Sequence, residues 1–369
     1  MALKLDFTQD TLANRDKGIE TLRGIAIILM VAGHVIGNDQ RSGLKVPEDS
    51  WFRYFYYSFQ YLRMPLFTVI SGFVYAMKPI KEASSRKKFI DRKISRLLLP
   101  FFIAVTFLAV FQLLIPGTNN QMPLNKLWQV YVFPYAQFWF VQGIFVVFIL
   151  ISFLDSFGAM KAFRGWLTVF LLSVLLFYSD IVQVTFFSLD KVPFLLMFFL
   201  LGLGMKRYYH YLFSSQSLKY IGTGVFLIAV LCQQFVFFTP EQNTHNIANL
   251  LTIVVGISGA FLLILTRFYY APLAWIGNYA YEIFLYHSFG TAGCRILLRL
   301  LGVSNLSVYF FFCLAVGIAF PIIFRLLCNR HPLLPSILFG ERRKKVKKEE
   351  VSKAPVRRSS IPEYEMSEK

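Results

Sequence analysis

The sequence is short of acidic residues, of cysteine and of extended polar stretches, and each shortage removes a class of protein. Cys232, Cys294, Cys313 and Cys328 stand singly, mostly in or near apolar runs. With no CxxC and no Cys/His spacing, neither a zinc site nor a disulfide framework is expected. No loop exceeds about thirty residues, which leaves no room for a separate soluble domain. Residues 1–17 are too polar for a signal peptide, and the first apolar run has no convincing cleavage site, so it reads as an uncleaved helix. No internal repeat or matched pair of broken helices is visible of the kind that marks many transporters. Acids number only 20 against 38 Lys and Arg, a net charge of +18. Basic residues cluster at 78–96 and 341–369, beside apolar runs. Such clusters set topology and meet anionic lipids, so nucleic acid is not an expected partner.

What the chain does have is apolar length. Apolar residues make up 56% of it, and the mean hydropathy of +0.54 places it in the membrane class. Apolar runs recur near 19–37, 54–77, 97–115, 138–154, 166–180, 192–205, 220–238, 247–266, 272–290 and 306–327. The expected fold is therefore all-α and polytopic, with about ten transmembrane helices. With the N-terminus inside, inner segments hold 29 Lys or Arg and outer segments eight, so the positive-inside rule gives N-in, C-in. Three regions follow: a cytoplasmic segment at 1–17, a transmembrane domain at 18–330, and a basic tail at 331–369. The tail is charged, almost free of large apolar residues and expected to be disordered.

The first helix carries the most telling residues. In GIETLRGIAIILMVAGHVIG, Arg23 and His34 are eleven residues apart. At about 100° per residue they leave one helix face, separated by roughly 16 Å along the axis. Glu20 falls about 40° to one side of His34, so a polar stripe runs most of the way across. Ionisable groups inside such a helix usually serve function. The alternative is a snorkelling Arg and a His hydrogen-bonded to a neighbouring helix. Gly33 and Gly37 form a GxxxG pair, which points to close helix packing.

Three further groups are candidates. Arg63 lies at the outer end of the second span, at about the depth of His34, where a headgroup contact is the alternative. Pro65 and Ser71-Gly72 in that span suit a bent or loosened helix lining a cavity. Arg92, Lys93 and Arg96 precede the third span and could bind the phosphates of a nucleotide-like molecule, or serve topology alone. Asn278, Glu282 and His287 share the ninth span. Counted from residues 19 and 272, His34 and His287 are both sixteenth in outward-running spans, and so expected at similar depth. His210 and His245 read as loop residues and His331 precedes Pro332; none of the three is given a role.

Taken together, ETLRGIAIILMVAGH, RMPLFTVISGF, the basic segment before LLLP, QFWFVQGIF, VPFLLMFFLLGLG and WIGNYAYEIFLYH resemble the membrane acyltransferase-3 family in the right order, over roughly 18–327. The family often has Asp where Glu20 stands. Its two basic residues before the third helix appear here as Lys93 and Arg96, with Arg92 adjacent. The resemblance implies a multi-pass protein of the bacterial cytoplasmic membrane. It would move an acyl group, usually acetyl, from cytoplasmic acetyl-coenzyme A to a sugar hydroxyl of an envelope or lipid-linked glycan. Acetyl-coenzyme A would be a co-substrate, with no tightly bound cofactor and no metal. His34 would be general base or transient acyl carrier, with Arg23, about three turns further down the same helix, and Glu20 as catalytic residues and Arg92, Lys93 and Arg96 at the donor. Arg63, Asn278, Glu282 and His287 would support the acceptor side. A charged track from Arg92–Arg96 through Arg23 to His34 would match the long, thin donor. Some members carry a hydrolase-like outer domain; without one, donor and acceptor would meet in the bundle or through an envelope-assembly partner. The competing readings are a transporter or flippase for an anionic or glycolipid solute, and a non-catalytic membrane subunit.

Overall fold

The computed structural model describes residues 16–80, 82–115, 124–213, 216–239 and 244–341. The polar stretch before Asp16, part of an expected outer loop at 116–123 and the tail from residue 342 lie outside the described residues. Among the described residues the chain is helical throughout, without strands. In chain order the main helices are α1 (Lys17–Ile36), α2 (Trp51–Met77), α3 (Ser84–Lys93), α4 (Leu99–Leu114), α5 (Trp139–Ser156), α6 (Phe163–Tyr178) and α7 (Val192–Arg207). They continue as α8 (Gln216–Phe238), α9 (His245–Leu265), α10 (Ala271–Asn278), α11 (Ala280–Leu300), α12 (Leu306–Cys328) and the short α13 (Leu334–Phe339).

Every apolar run of the sequence holds a helix, but not every run is one helix. Seven stretches are long and apolar enough to cross a membrane by length and composition, and α6 is a shorter apolar helix. The others, α2 and the α10–α11 pair, carry the Arg, Glu and His residues that lower their hydropathy. The 272–290 run is a correction to the single ninth span. It divides at Tyr279, where φ/ψ of −101°/12° ends α10, and α11 then runs on to Leu300. In the other direction, α3 and α4 form one continuous rod through a π-helical turn at Ile94–Leu98.

The packing centres on α1, which touches α2, α9, α10, α11 and α12. Asp16 caps it by accepting from the Gly18 and Ile19 N–H groups at 3.0 and 3.3 Å, and it also pairs with Arg267. Gly37, at φ +90°, ends the helix, and its carbonyl accepts from Arg53 Nη1 at 2.6 Å. Two crossings are close enough to require glycine. A Cβ at Gly277 of α10 would overlap the Glu20 carbonyl of α1, and one at Gly24 would overlap the Leu273 carbonyl. Gly72 and Gly202 make the same approach between α2 and α7. Gly72 therefore serves packing, and α2 continues unbroken through Pro65.

At the Glu20 end of the bundle, Arg207 grips Asp155 through two 2.9 Å contacts, and Tyr75 donates to the same carboxylate at 2.8 Å. Arg207 Nη1 and the Tyr208 hydroxyl also donate to the Met160 carbonyl, which fixes the turn between α5 and α6. A second ion pair joins Arg325 to Glu282 and to Glu341.

Candidate active site

A cavity of about 490 Å³ opens at the His34 end of the bundle. From α1 and its C-cap it takes Met30, Gly33, His34 and Gly37, spaced i, i+3, i+4, i+7. From α11 it takes Phe284, Ser288, Thr291 and Arg295, a stripe of the same period. Arg63 and Tyr56 enter from α2, and Leu108, Phe111 and Gln112 from α4. The loop after Gly37 closes one side with Asn38 and Ser42, whose hydroxyl donates to Asn38 Oδ1 at 2.7 Å. In that loop the Arg41 N–H donates to Asp39 at 2.8 Å and holds its carboxyl below the usual carboxylate range.

The His34 side chain is exposed, and the surface it presents lines the cavity. Among the described residues, none hydrogen-bonds its ring. Its neighbour is His287 of α11, with ring centroids 5.0 Å apart and the planes tilted by 41°. His287 is fully buried, and its Nδ1 lies 3.0 and 3.1 Å from the Ile283 and Phe284 carbonyls. Carbonyls only accept, so Nδ1 carries the proton and Nε2 is left as an acceptor. No described group bonds that Nε2. The two imidazoles thus form a pair in which one is fixed by its own helix and the other faces open space.

Arg63 lies over Gly33. Its guanidinium carbon is 4.1 Å from the Tyr56 ring centre, and a Cβ on Gly33 would overlap Nη1. This corrects the GxxxG reading: Gly33 makes room for a guanidinium beside His34, and Gly37 ends the helix. A contrast in stability follows. Gly277→Ala meets a backbone carbonyl and should lower the melting temperature sharply. Gly33→Ala meets only the movable end of Arg63, so it should cost no more than about 1 kcal/mol of stability while shifting Arg63. Thermal unfolding of the two purified variants checks this, and equal losses would refute the assignment of Gly33.

The remaining candidates lie elsewhere. Glu20 takes Arg23 Nη1 through contacts of 2.8 and 2.9 Å, and neither residue lines the cavity. Between Arg23 and His34 the same face carries Ile27 and Met30, both buried. The charged track is therefore interrupted by hydrocarbon at Ile27 and at Met30 on the cavity wall, which corrects the expectation of a continuous polar path. Arg92, Lys93 and Arg96 are outside the cavity lining too, within electrostatic reach of one another at the α3–α4 junction. Lys93 Nζ sits 3.4 Å over the Phe148 ring, Arg92 Nε donates to the Lys88 carbonyl at 3.1 Å, and Arg96 is exposed in the π turn against Gly340. Glu282 holds Arg325, and Asn278 ends α10 at the break, both outside the cavity lining. His210 lies in a short helix and His245 opens α9, rather than either lying in a loop.

Sequence reasoning missed Arg295, Gln137 and Ser288. Arg295 Nη1 donates to the Gly43 carbonyl at 3.0 Å, and the Ser288 hydroxyl donates to Gln137 Oε1 at 3.0 Å. The signal for Arg295 was available, since it stands eleven residues after Phe284, the interval that joins Arg23 to His34. Among the described residues no cluster of His, Cys, Asp or Glu could hold a metal ion.

The acyltransferase domain of the Acyl_transf_3 family matches residues 16–326. The chain belongs to the membrane acyltransferase-3 family. The match spans α1 through most of α12, and so includes every residue of the His34 cavity. No curated protein and no solved structure matches the chain. Membership makes this helical membrane protein an acyltransferase.

Proposed function

We propose that this acyltransferase moves an acetyl group from cytoplasmic acetyl-coenzyme A to a sugar hydroxyl of an envelope or lipid-linked glycan, with His34 as the general base. The supporting observation is the His34 ring itself. It lines a cavity, makes no interhelical hydrogen bond among the described residues, and lies against the tilted ring of a second histidine whose tautomer is fixed. A histidine kept for packing would be expected to spend a ring nitrogen on a neighbouring helix.

In this reading the sugar hydroxyl attacks the thioester carbonyl as His34 takes its proton. The carbon–sulfur bond then breaks, coenzyme A leaves as thiolate, and His34 returns the proton to sulfur. Arg63, beside His34, supplies positive charge where the carbonyl oxygen becomes an oxyanion. The Glu20 end of the bundle faces the cytoplasm, as the basic count favours. The donor's phosphates meet Lys93 and Arg96 at that end, with Arg23 oriented by Glu20. Reaching His34 then requires the hydrocarbon closure at Ile27 and Met30 to part as the pantetheine arm enters.

Coenzyme A release by the purified protein with acetyl-coenzyme A and a glycan acceptor tests the reaction. Acceptor-dependent release supports it, and solute movement without release would favour a transporter or flippase. Neutralising Lys93 and Arg96 together should raise the acetyl-coenzyme A KM roughly tenfold or more with a smaller fall in kcat, because contacts far from the thioester bind ground and transition states alike. An unchanged KM in correctly inserted protein would remove these residues from the donor site.

A further inference from the structure

The His34 cavity has a neighbour on the outer surface of the bundle. Helix α4 presents two stripes: Leu108 and Gln112 line the cavity, while Phe107, Val110 and Leu114 line a groove of about 420 Å³. Phe111 belongs to both. Its ring lies 5.4 Å from that of Phe289, edge to face, so one aromatic pair stands beside the boundary of the two spaces. The groove is hydrocarbon except for Tyr286, whose hydroxyl is turned inward and donates to the Leu338 carbonyl at 3.1 Å. Phe107, Val110, Leu114 and Phe320 on its rim are exposed on helices that cross the membrane, so the groove faces lipid.

The cavity on the other side of Phe111 has the opposite character. Its lining includes the guanidinium groups of Arg63 and Arg295 and no carboxylate. A positive, partly enclosed space favours a negatively charged ligand, and planar guanidinium groups favour carboxylate or phosphate. Seen from the bilayer, a hydrocarbon groove leads past one aromatic pair to two cations and then to His34.

We propose that the acceptor reaches His34 as the head group of an anionic lipid, with its hydrocarbon chain in the α4–α11–α12 groove and its charge against Arg63 and Arg295. This rests on the reading of the His34 cavity as the acceptor site and narrows the acceptor to a lipid-borne one. Each part of such a molecule meets a matching surface. The chain removes groove hydrocarbon from competing bilayer lipid, the charge fixes the depth of the head, and a hydroxyl next to that charge is presented to the imidazole. A neutral soluble sugar would have use for neither the groove nor the two cations.

The test uses hexadecyl phosphate bearing a chain diazirine, with the full-length protein in phosphatidylcholine nanodiscs and labelled peptides mapped by mass spectrometry. Labelling should concentrate on residues 107–114 and 320–324. Unlabelled hexadecyl phosphate should compete at roughly tenfold lower concentration than hexadecanol, the worth of a charge-assisted hydrogen bond. Arg63→Gln should remove most of that tenfold preference. Val110→Trp, at an exposed position where a larger ring is tolerated, should fill the groove and abolish the focused labelling. Even labelling of all lipid-facing helices, equal competition by hexadecanol, or competition by inorganic phosphate alone would each overturn the proposal. The readout needs no acetyl-coenzyme A, and His34→Gln should label like the wild type. Focused labelling without coenzyme A release would leave the lipid site standing and defeat the acyl-transfer reading; release without focused labelling would do the reverse.

Discussion

His34→Gln should reduce acyl transfer by ~10²–10⁴-fold while the protein remains folded in the membrane, the usual cost of losing a general base. The substitution separates chemistry from packing. Glutamine keeps a polar side chain of similar reach but cannot take a proton from an attacking hydroxyl at neutral pH. Packing gives little reason for a large loss, because no described residue bonds the His34 ring and the side chain faces a cavity. Removing one interhelical hydrogen bond would in any case cost only ~0.6–2 kcal/mol. His34→Ala should behave alike, with melting temperatures near wild type for both. Wild-type turnover in His34→Gln would end the general-base assignment and favour transport or scaffolding.

Asp155→Ala should lower stability by ~3 kcal/mol, the low end of the cost of stripping a buried ion pair of one partner, because Arg207 keeps a fifth of its side chain exposed. Asp155 is buried and takes both nitrogens of Arg207 together with the Tyr75 hydroxyl. Alanine leaves the guanidinium with the Met160 carbonyl alone, in a setting that no longer offsets its desolvation. Three helices, α2, α5 and α7, meet at this point, so the loss should be felt by the whole Glu20 end. Adding Arg207→Met should recover a good part, since removing both charges removes the uncompensated one. Detergent-solubilised melting of the single and double variants measures the difference. A double variant no more stable than Asp155→Ala would show that the pair's charge is not what matters there.

The helical class and the helical character of each apolar run were legible because apolar runs of membrane length have few other solutions: a backbone in hydrocarbon must satisfy its own hydrogen bonds. The face relation between Arg23 and His34 was legible too, since helical period alone dictates it. Placing His34 and His287 at one depth needed only residue counting. The break at Tyr279 was not readable, because WIGNYAYEIF is apolar enough to continue and the interruption accompanies the tight crossing of Gly277 on α1. The family resemblance supplied a reaction class that spacing could not.

What the sequence by itself determined was which residues share a helix face and how deep they sit. Only the tertiary structure decided which faces meet. Period already put Ile27 and Met30 on the face between Arg23 and His34, and the structure decided that both are buried there. It brought Arg63 over Gly33 and Arg295 onto the cavity wall, and it drew Glu282 away to Arg325. The physical reason is that period is a property of one helix, whereas a cavity belongs to several. Its walls depend on crossing points set by small residues, and one Cβ at Gly24 or Gly277 would move them.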